Sequence, residues 1–336
     1  MMFLLVNKLP TFANEVIGMK TITMATPGEP IVTPYSAESF STDVQFLEAS
    51  WKRAPGCDVP VIDFGRGEPL VFVPIHEHLE FVYARQVRAF SGSRRVILYR
   101  RQESRTKFVS RSDRVEELRE VVDCLAIRSA DFVAHGDAAM VLAEFALRYP
   151  ERCRSVVLVG LGADYRIAPH PLIWILHEIF LRLPIEGLVP TSLLLRTIMR
   201  YITHFEAPGQ AQAVSREDSA VLTEIPRALI EGQFRKIAKW PAMYRYSVLP
   251  VIHSFDIRGR VAEFEMPILL INRWDDALAP EAKTAWLAHW LPNCVYHVVP
   301  GRGRFFMYSE AQRVNPIIEQ FLAAQSEASR LRTYAD

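Results

Sequence analysis

The sequence lacks the features that mark several classes of protein. Glycine and proline number only 15 and 22 among 336 residues, which excludes a collagen-like or low-complexity chain. Neither sign of charge dominates, since 39 Lys and Arg residues face 38 Asp and Glu residues. With no basic excess and no recognition motif, we expect no binding to nucleic acid. No stretch of 18 uncharged apolar residues occurs, so we expect no transmembrane helix, and the apolar start at residues 1–6 is too short for a signal peptide.

Cysteine is also scarce. Cys57, Cys124, Cys153 and Cys294 lie far apart and form no C-x-x-C pair, so neither a zinc ribbon nor a dithiol redox motif is predicted. Cys124 and Cys294 stand in apolar runs, which is typical of buried core residues. We therefore expect no metal and no cofactor, and a reducing compartment, the cytoplasm, is the default location.

The hydrophobic pattern divides the chain into segments. Residues 1–55 have weak periodicity and are interpreted as an N-terminal extension with a few short strands. Strand-like and helix-like segments then alternate over 56–161 and again over 264–325, whereas 162–263 is helical in pattern, with many prolines. Such alternation on both sides of one helical block predicts an α/β protein with a parallel, doubly wound sheet and a helical insertion. Residues 326–336 are interpreted as a C-terminal tail.

Several motifs extend this prediction. The run VDCLAIRSADFVAHGDAA at 122–139 is followed by FALRYPER at 145–152, and PILLI at 267–271 precedes DALAP at 276–280 and VPGRGRF at 299–305. These segments resemble the α/β-hydrolase superfamily over about 58–160 and 264–323. The resemblance implies an α/β-hydrolase fold, with a mostly parallel sheet of about eight strands and residues 162–263 as a helical lid.

The same motifs lack the residues of the family's chemistry. In the family the nucleophile lies fourteen residues before the proline of Y-P, which places Gly136 at that position of the elbow turn. The position of the catalytic His holds Arg304, which stays protonated and cannot act as a general base. The oxyanion His-Gly becomes Pro74-Ile75, and of the triad only the acid, Asp276, remains. We therefore predict that Ser-His-Asp acyl transfer is absent.

Five polar residues remain candidates for other chemistry. Asp137 is interpreted either as a helix N-terminal carboxylate or as a catalytic group, and His135 as a structural residue beside the elbow. His76 and His78 are either polar surface or an acid–base pair with Asp137 and Asp276. An H-x-H pair on an extended segment also suits a metal, but no metal site is predicted.

Other residues are predicted to contact a ligand or a partner. Arg304 and Asp276 form either a charge pair that fills the old site or, with Arg273, an anion clamp. Pro74, Ile75, Arg273 and the lid residue Trp174 are the candidate ligand contacts. The apolar lid lines a hydrophobic pocket or presents a face to a protein. The arginines at 100, 101, 105, 111 and 114 alternate with acidic residues and predict a solvated face.

The predicted function is that of an α/β-hydrolase-like protein without hydrolytic chemistry, a pseudoenzyme. It would bind a small apolar or acyl-type ligand, or a protein partner through the lid. The alternative is a serine-independent enzyme of the lyase, cyclase, isomerase or decarboxylase type, because such reactions need positioning and proton transfer without an acyl-enzyme. The oligomeric state is not predicted.

Overall fold

Nine strands form one sheet in the computed structural model, which describes residues 22–24, 37–165, 171–196, 225, 227–273, 276, 279–299 and 304–333. The strands are β1 Ile22–Met24, β2 Lys52–Arg53, β3 Pro60–Phe64, β4 Pro69–Val73, β5 Arg95–Tyr99, β6 Ala130–His135, β7 Cys153–Val159, β8 Ile268–Arg273 and β9 Cys294–Val299. Their order is β1-β9-β8-β7-β6-β4-β5-β3-β2. All pairings are parallel except β2 with β3 and β3 with β5. The predicted doubly wound α/β architecture is confirmed.

The central strands are continuous apolar runs because both faces of the sheet are covered. Every residue of β6 and β8 is buried, and β7 is buried except at Arg154. The helices are α1 Ala37–Ser50, α2 Ala84–Phe90, α3 Arg111–Cys124, α4 Asp137–Arg148, α5 Pro171–Arg182, α6 Arg227–Lys236, α7 Glu281–Trp290 and α8 Ala311–Thr333. Helix α4 packs against β6, β7 and α3, and α7 packs against β8 and β9.

Within 162–263, the segment predicted to form a lid, the described residues are mainly helical. They comprise α5, a helical segment at 191–196, α6, and one run from Trp240 to Ile252 that contains a π-helical turn at Tyr244–Val248. The boundaries of the lid and of the core segments stay predictions. No helix among the described residues is both long and apolar enough to cross a membrane.

The N-terminal region differs from the expectation of short strands alone. Strand β1 does pair with β9, but residues 37–50 form helix α1. Phe40 and Leu47, seven residues apart, bury their side chains against the core, and Phe40 makes an edge contact with Phe81 at 5.0 Å between ring centroids. With only two fully buried apolar residues in fourteen, the hydrophobic periodicity of this segment was too weak to predict a helix.

A disulfide joins Cys57 and Cys124, whose Cα atoms lie 5.4 Å apart. Cys57 precedes β3 and Cys124 is the last residue of α3. The interpretation of Cys124 as an ordinary core residue is therefore wrong, because 67 residues of sequence separate two positions that the fold brings together. Cys294 is half-buried where a core position was expected, and Cys153 is buried.

Candidate functional site

The candidate site lies where strand β6 turns into helix α4. Gly136 is the N-cap of α4, with φ of 67° and ψ of −123°. Its N–H donates to the carbonyl of Val159, and its carbonyl accepts from the N–H of Ala139. A residue with a side chain is strained in this backbone region, whereas glycine adopts it at little cost. The turn between β6 and α4 is thus sharp and carries no side chain at Gly136.

The guanidinium of Arg304 lies directly over Gly136. A Cβ built on Gly136 would lie 2.9 Å from Nη2 of Arg304, which is closer than real Cβ contacts. Nη1 of the same side chain lies 3.6 Å from Oδ1 of Asp276. The space in which a side chain at the elbow would stand is therefore occupied by the arginine.

Asp276 lies beyond the carboxyl end of β8. Its Oδ1 accepts a hydrogen bond from the N–H of Ala279, and its own N–H donates to the carbonyl of Arg273. A Cβ built on Gly160, after β7, would lie 3.4 Å from Oδ2 of Asp276 and 3.8 Å from Nε2 of His135. The ends of β6, β7 and β8 thus bring these groups together, as expected for the carboxyl edge of a parallel sheet.

His135 is buried between this cluster and the core. Its ring contacts Phe306 edge-on at 5.6 Å, and its backbone N–H donates to the hydroxyl of Tyr83, which in turn donates to the carbonyl of Val73. Burial, reinforced by the positive charge of Arg304, lowers the pKa of His135 to about 3. The imidazole is therefore neutral at neutral pH. The structural role predicted for His135 stays a prediction.

Asp137 belongs to a second, deeply buried charge cluster. Nη1 of Arg101 lies 3.3 Å from Oδ2 of Asp137, and Nε of Arg101 lies 3.1 Å from Glu103, which also pairs with Arg114. Burial opposes the charge of Glu103, but Arg101 and Arg114 outweigh it and lower the pKa of this carboxyl. The prediction of a solvated face is wrong for Arg101 and Arg114, because mixed charges in sequence also suit an inward-facing network.

The two histidines of the H-x-H motif diverge. His76 is buried against Phe234, at 5.8 Å between ring centroids, and near Asp137 and Glu103. Burial lowers the pKa of His76, against the opposing effect of those carboxylates. His78 has φ of 64° in a turn and lies near Glu77 and Glu48. The extended geometry that would aim both imidazoles at one metal is absent, and the described residues contain no group of three candidate metal ligands.

The predicted ligand contacts are only partly brought together. Pro74 and Ile75 are buried after β4, and Arg273 is buried at the end of β8, near His135. Trp174 belongs to helix α5, and its side chain lies outside the described part of the structure. The ligand contacts and the hydrophobic pocket therefore stay predictions.

Two polar lid residues were missed by the sequence reasoning. The hydroxyl of Tyr244 lies 3.1 Å from Nε2 of His177, and both side chains are only half-buried. The aromatic residues of Trp240–Tyr244 indicate a packed segment. No motif in the sequence connects Tyr244 with His177, which lies 67 residues earlier.

Comparisons with known proteins agree with the fold. No family model matches the chain. A putative carbamate hydrolase RutD of Stutzerimonas stutzeri is 23% identical over 209 residues, covering 62% of this chain and 72% of that protein. A 2-hydroxy-6-oxo-6-phenylhexa-2,4-dienoate hydrolase of Burkholderia cepacia is 24% identical over 207 residues, 60% of this chain and 66% of that protein.

Solved structures show the same likeness. The enol-lactonase from Burkholderia xenovorans LB400 superposes with a TM-score of 0.63 over 81% of this chain and 99% of that chain, at 16% identity. A thermophilic esterase from Thermogutta terrifontis gives a TM-score of 0.61 over 82% and 97%, at 14% identity. The chain has the α/β-hydrolase fold. At these identities the likeness establishes the architecture, while activity must be argued from the site.

Proposed function

We propose that this chain is an α/β-hydrolase-fold protein that has lost Ser-His-Asp hydrolysis and binds a small apolar or acyl-type ligand between core and lid. The observation that carries the proposal is the contact at the elbow. Gly136 keeps the turn but has no attacking group, and the guanidinium of Arg304 fills the vacated space. A glycine offers no hydroxyl or thiol, and a protonated arginine accepts no proton, so neither step of acyl transfer can begin here.

The class of ligand follows from the groups around the elbow and from the relatives. Pro74 and Ile75, the predicted contacts after β4, are apolar, which favours a ligand with an apolar body. The relatives bear names of hydrolases for carbamate and for a 6-oxo-6-phenyl dienoate, and both substrates contain a carbonyl group. We extend that common feature to this chain as an acyl or keto group in the ligand.

A ligand screen tests the proposal. The purified protein is heated with decanoate, phenyl butyrate, γ-decalactone and a hexanoyl thioester, and each mixture is then assayed for product by mass spectrometry. We expect at least one compound to raise the melting temperature and to be recovered unchanged. Trp290→Ala, on an exposed face of α7, should leave the shift unchanged. Turnover would instead favour the serine-independent enzyme, and no shift with any compound would contradict ligand binding.

A protein partner at the lid is the second candidate. Large apolar side chains are exposed along the described lid at Ile175, Ile179, Leu183, Leu188 and Leu193. Clusters of exposed apolar residues mark interaction surfaces more often than free surface. If the partner is a second copy of this chain, sedimentation velocity should show a dimer that Leu183→Lys together with Leu188→Lys dissociates. A monomer at all concentrations would contradict self-association.

The cytoplasmic location stays a prediction, and the Cys57–Cys124 disulfide counts against it, because disulfides persist mainly in oxidising compartments. The oxidation state of the cysteines, measured in protein isolated under acid quench, distinguishes a reducing compartment from an oxidising one. Alkylation of two cysteines per chain would agree with the disulfide, and alkylation of all four would agree with a reducing compartment.

A further inference from the structure

The lid presents a polar pair in otherwise aromatic surroundings. Tyr244 begins the π-helical turn Tyr244–Val248, a distortion that is frequent at functional sites. Its hydroxyl meets Nε2 of His177 on helix α5 at 3.1 Å. Both side chains keep part of their surface accessible, although Tyr244 also stacks on Trp240. A hydroxyl and an imidazole held together in this way form a defined point for a hydrogen bond.

A continuous row of rings connects this pair with the elbow side of the core. The ring of His76, after β4, contacts Phe234 at 5.8 Å, and Phe234 contacts Trp240 at 5.6 Å. Trp240 stacks on Tyr244 at 5.0 Å with an interplanar angle of 16°. Phe234 and Trp240 are each only 1% exposed, so the row is a packed chain of rings that fixes the position of Tyr244 relative to the loop after β4.

A second connection fixes the lid turn above α4. The carbonyl of Ser247, three residues after Tyr244, accepts a hydrogen bond from Nη2 of Arg101 at 3.1 Å. Nη1 of the same guanidinium pairs with Asp137, the first residue of α4. The π-helical turn therefore lies within the reach of one arginine side chain from the elbow.

The protonation of the pair decides which way its hydrogen bond points. Burial lowers the pKa of His177 to about 4, and burial raises the pKa of Tyr244 well above its usual value, so both are neutral at neutral pH. Nδ1 of His177 is buried, and no described residue offers it a hydrogen-bond partner. Buried N–H groups without a partner are rarer than acceptors without one, so we place the proton on Nε2. Nε2–H then donates to the Tyr244 oxygen, which leaves the tyrosine O–H free to donate.

We propose that the Tyr244 hydroxyl, oriented by His177, is the donor that binds the carbonyl oxygen of the ligand. This inference rests on the proposed function, because it identifies the group that recognises the acyl or keto moiety. It assigns Tyr244 to binding and His177 to positioning.

Three probes with one carbon skeleton test the donor role. Valerophenone has a carbonyl where pentylbenzene has a methylene, and 1-phenylpentan-1-ol has a hydroxyl. Wild-type protein should bind valerophenone at least tenfold more tightly than pentylbenzene in a fluorescence titration of its tryptophans. Tyr244→Phe should reduce that ratio to about one while it leaves the affinity for pentylbenzene unchanged. His177→Phe should reduce the ratio partly, and His177→Gln, whose amide can still donate to Tyr244, should restore it.

Tyr149→Phe is the matched control. It also removes a tyrosine hydroxyl that donates a hydrogen bond, here to Glu116 at 2.8 Å, but Tyr149 lies at the far end of α4. It should leave all three affinities unchanged. Equal binding of valerophenone and pentylbenzene by the wild type would overturn the donor role while leaving ligand binding intact. Binding of none of the three would contradict the proposed function itself, and the donor role with it.

The tautomer provides a test without any ligand. Nitrogen-15 chemical shifts of His177 at pH 7 should show a protonated Nε2 and an unprotonated Nδ1. In Tyr244→Phe the proton should no longer be held on one nitrogen. A proton on Nδ1 in the wild type would mean that Tyr244 donates to His177, and the proposal would be wrong.

Discussion

Two arginines lie on either side of the start of helix α4, and their surroundings differ. Arg101 has a side chain only 2% exposed, with carboxylates of Glu103 and Asp137 at 3.1 and 3.3 Å and the carbonyl of Ser247 at 3.1 Å. Arg304 is 14% exposed, and the one carboxylate that pairs with it among the described residues, Asp276, is 3.6 Å away. The first guanidinium is buried among two carboxylates and a carbonyl, and the second has one longer ion pair.

The difference in burial and pairing suggests different roles for the two arginines. Arg101 connects the π-helical turn with α4 through Ser247 and Asp137, and it compensates the charge of Glu103, whose side chain is fully buried. Arg304 lies over Gly136 with a longer and more exposed pair, so under the proposed function it is the residue that a ligand would displace or contact.

Arg101→Ala should have the largest effect on stability. It leaves the charges of Glu103 and Asp137 without their shared partner, and removal of one member of a buried ion cluster costs about 3–5 kcal/mol. The measurement is urea unfolding at pH 7, with Arg128→Ala at an exposed position as the control. If the free energy of unfolding fell by less than 1 kcal/mol relative to that control, Arg101 would lie in solvent and would not differ from Arg304.

Gly136→Ala should destabilise the protein by about 1–3 kcal/mol, because the backbone there strains any residue with a side chain. Part of this cost comes from the contact between the new methyl group and Arg304. In an Arg304→Ala background the cost should therefore fall by about 0.5–1 kcal/mol, which a double-mutant cycle of unfolding free energies measures. Strict additivity of the two changes would show that the guanidinium does not occupy the space above Gly136.

The neutral state of His135 predicts a loss of stability in acid. Its pKa is lowered from 6.5 to about 3 by folding, so the unfolded chain binds the proton first as the pH falls. The stability is present above about pH 6.5 and is lost progressively towards pH 3, with about 2 kcal/mol gone at pH 5. His135→Asn should show a smaller loss between pH 7.5 and 5 in urea unfolding. The exposed His289→Asn should behave like wild type, and if His135→Asn did too, the imidazole would not be held neutral.

Arg304→Ala should have the smallest effect, about 1 kcal/mol, because its pair with Asp276 is longer and more exposed than the pairs of Arg101. The same variant should change ligand affinity more than stability. Urea unfolding and the ligand titration on one preparation compare the two. A loss of stability as large as that of Arg101→Ala would make Arg304 a structural residue, and the two arginines would no longer differ in role.

The sequence predicted the scaffold well and the buried polar groups poorly. Apolar runs such as 69–73 and the turn signals around Gly136 are local, so the strands of the core and helix α4 could be located from the pattern alone. The burial of Arg101 with Glu103, the Cys57–Cys124 bridge and the Tyr244–His177 pair each depend on contacts between distant segments. The sequence does not show whether a charged side chain, a thiol or a hydroxyl faces water or another polar group. Only the folded structure therefore reveals these pairs.

The most direct test of the central claim is covalent labelling at the elbow. Wild-type protein is incubated with a fluorophosphonate, which phosphonylates activated serines, and its intact mass is compared with that of a serine hydrolase treated in parallel. We expect no adduct on this chain, because Gly136 has no side chain and Arg304 cannot act as a base. A single adduct per chain, mapped to any serine near Asp276 and His135, would show that a nucleophile survives and would contradict the loss of hydrolytic chemistry.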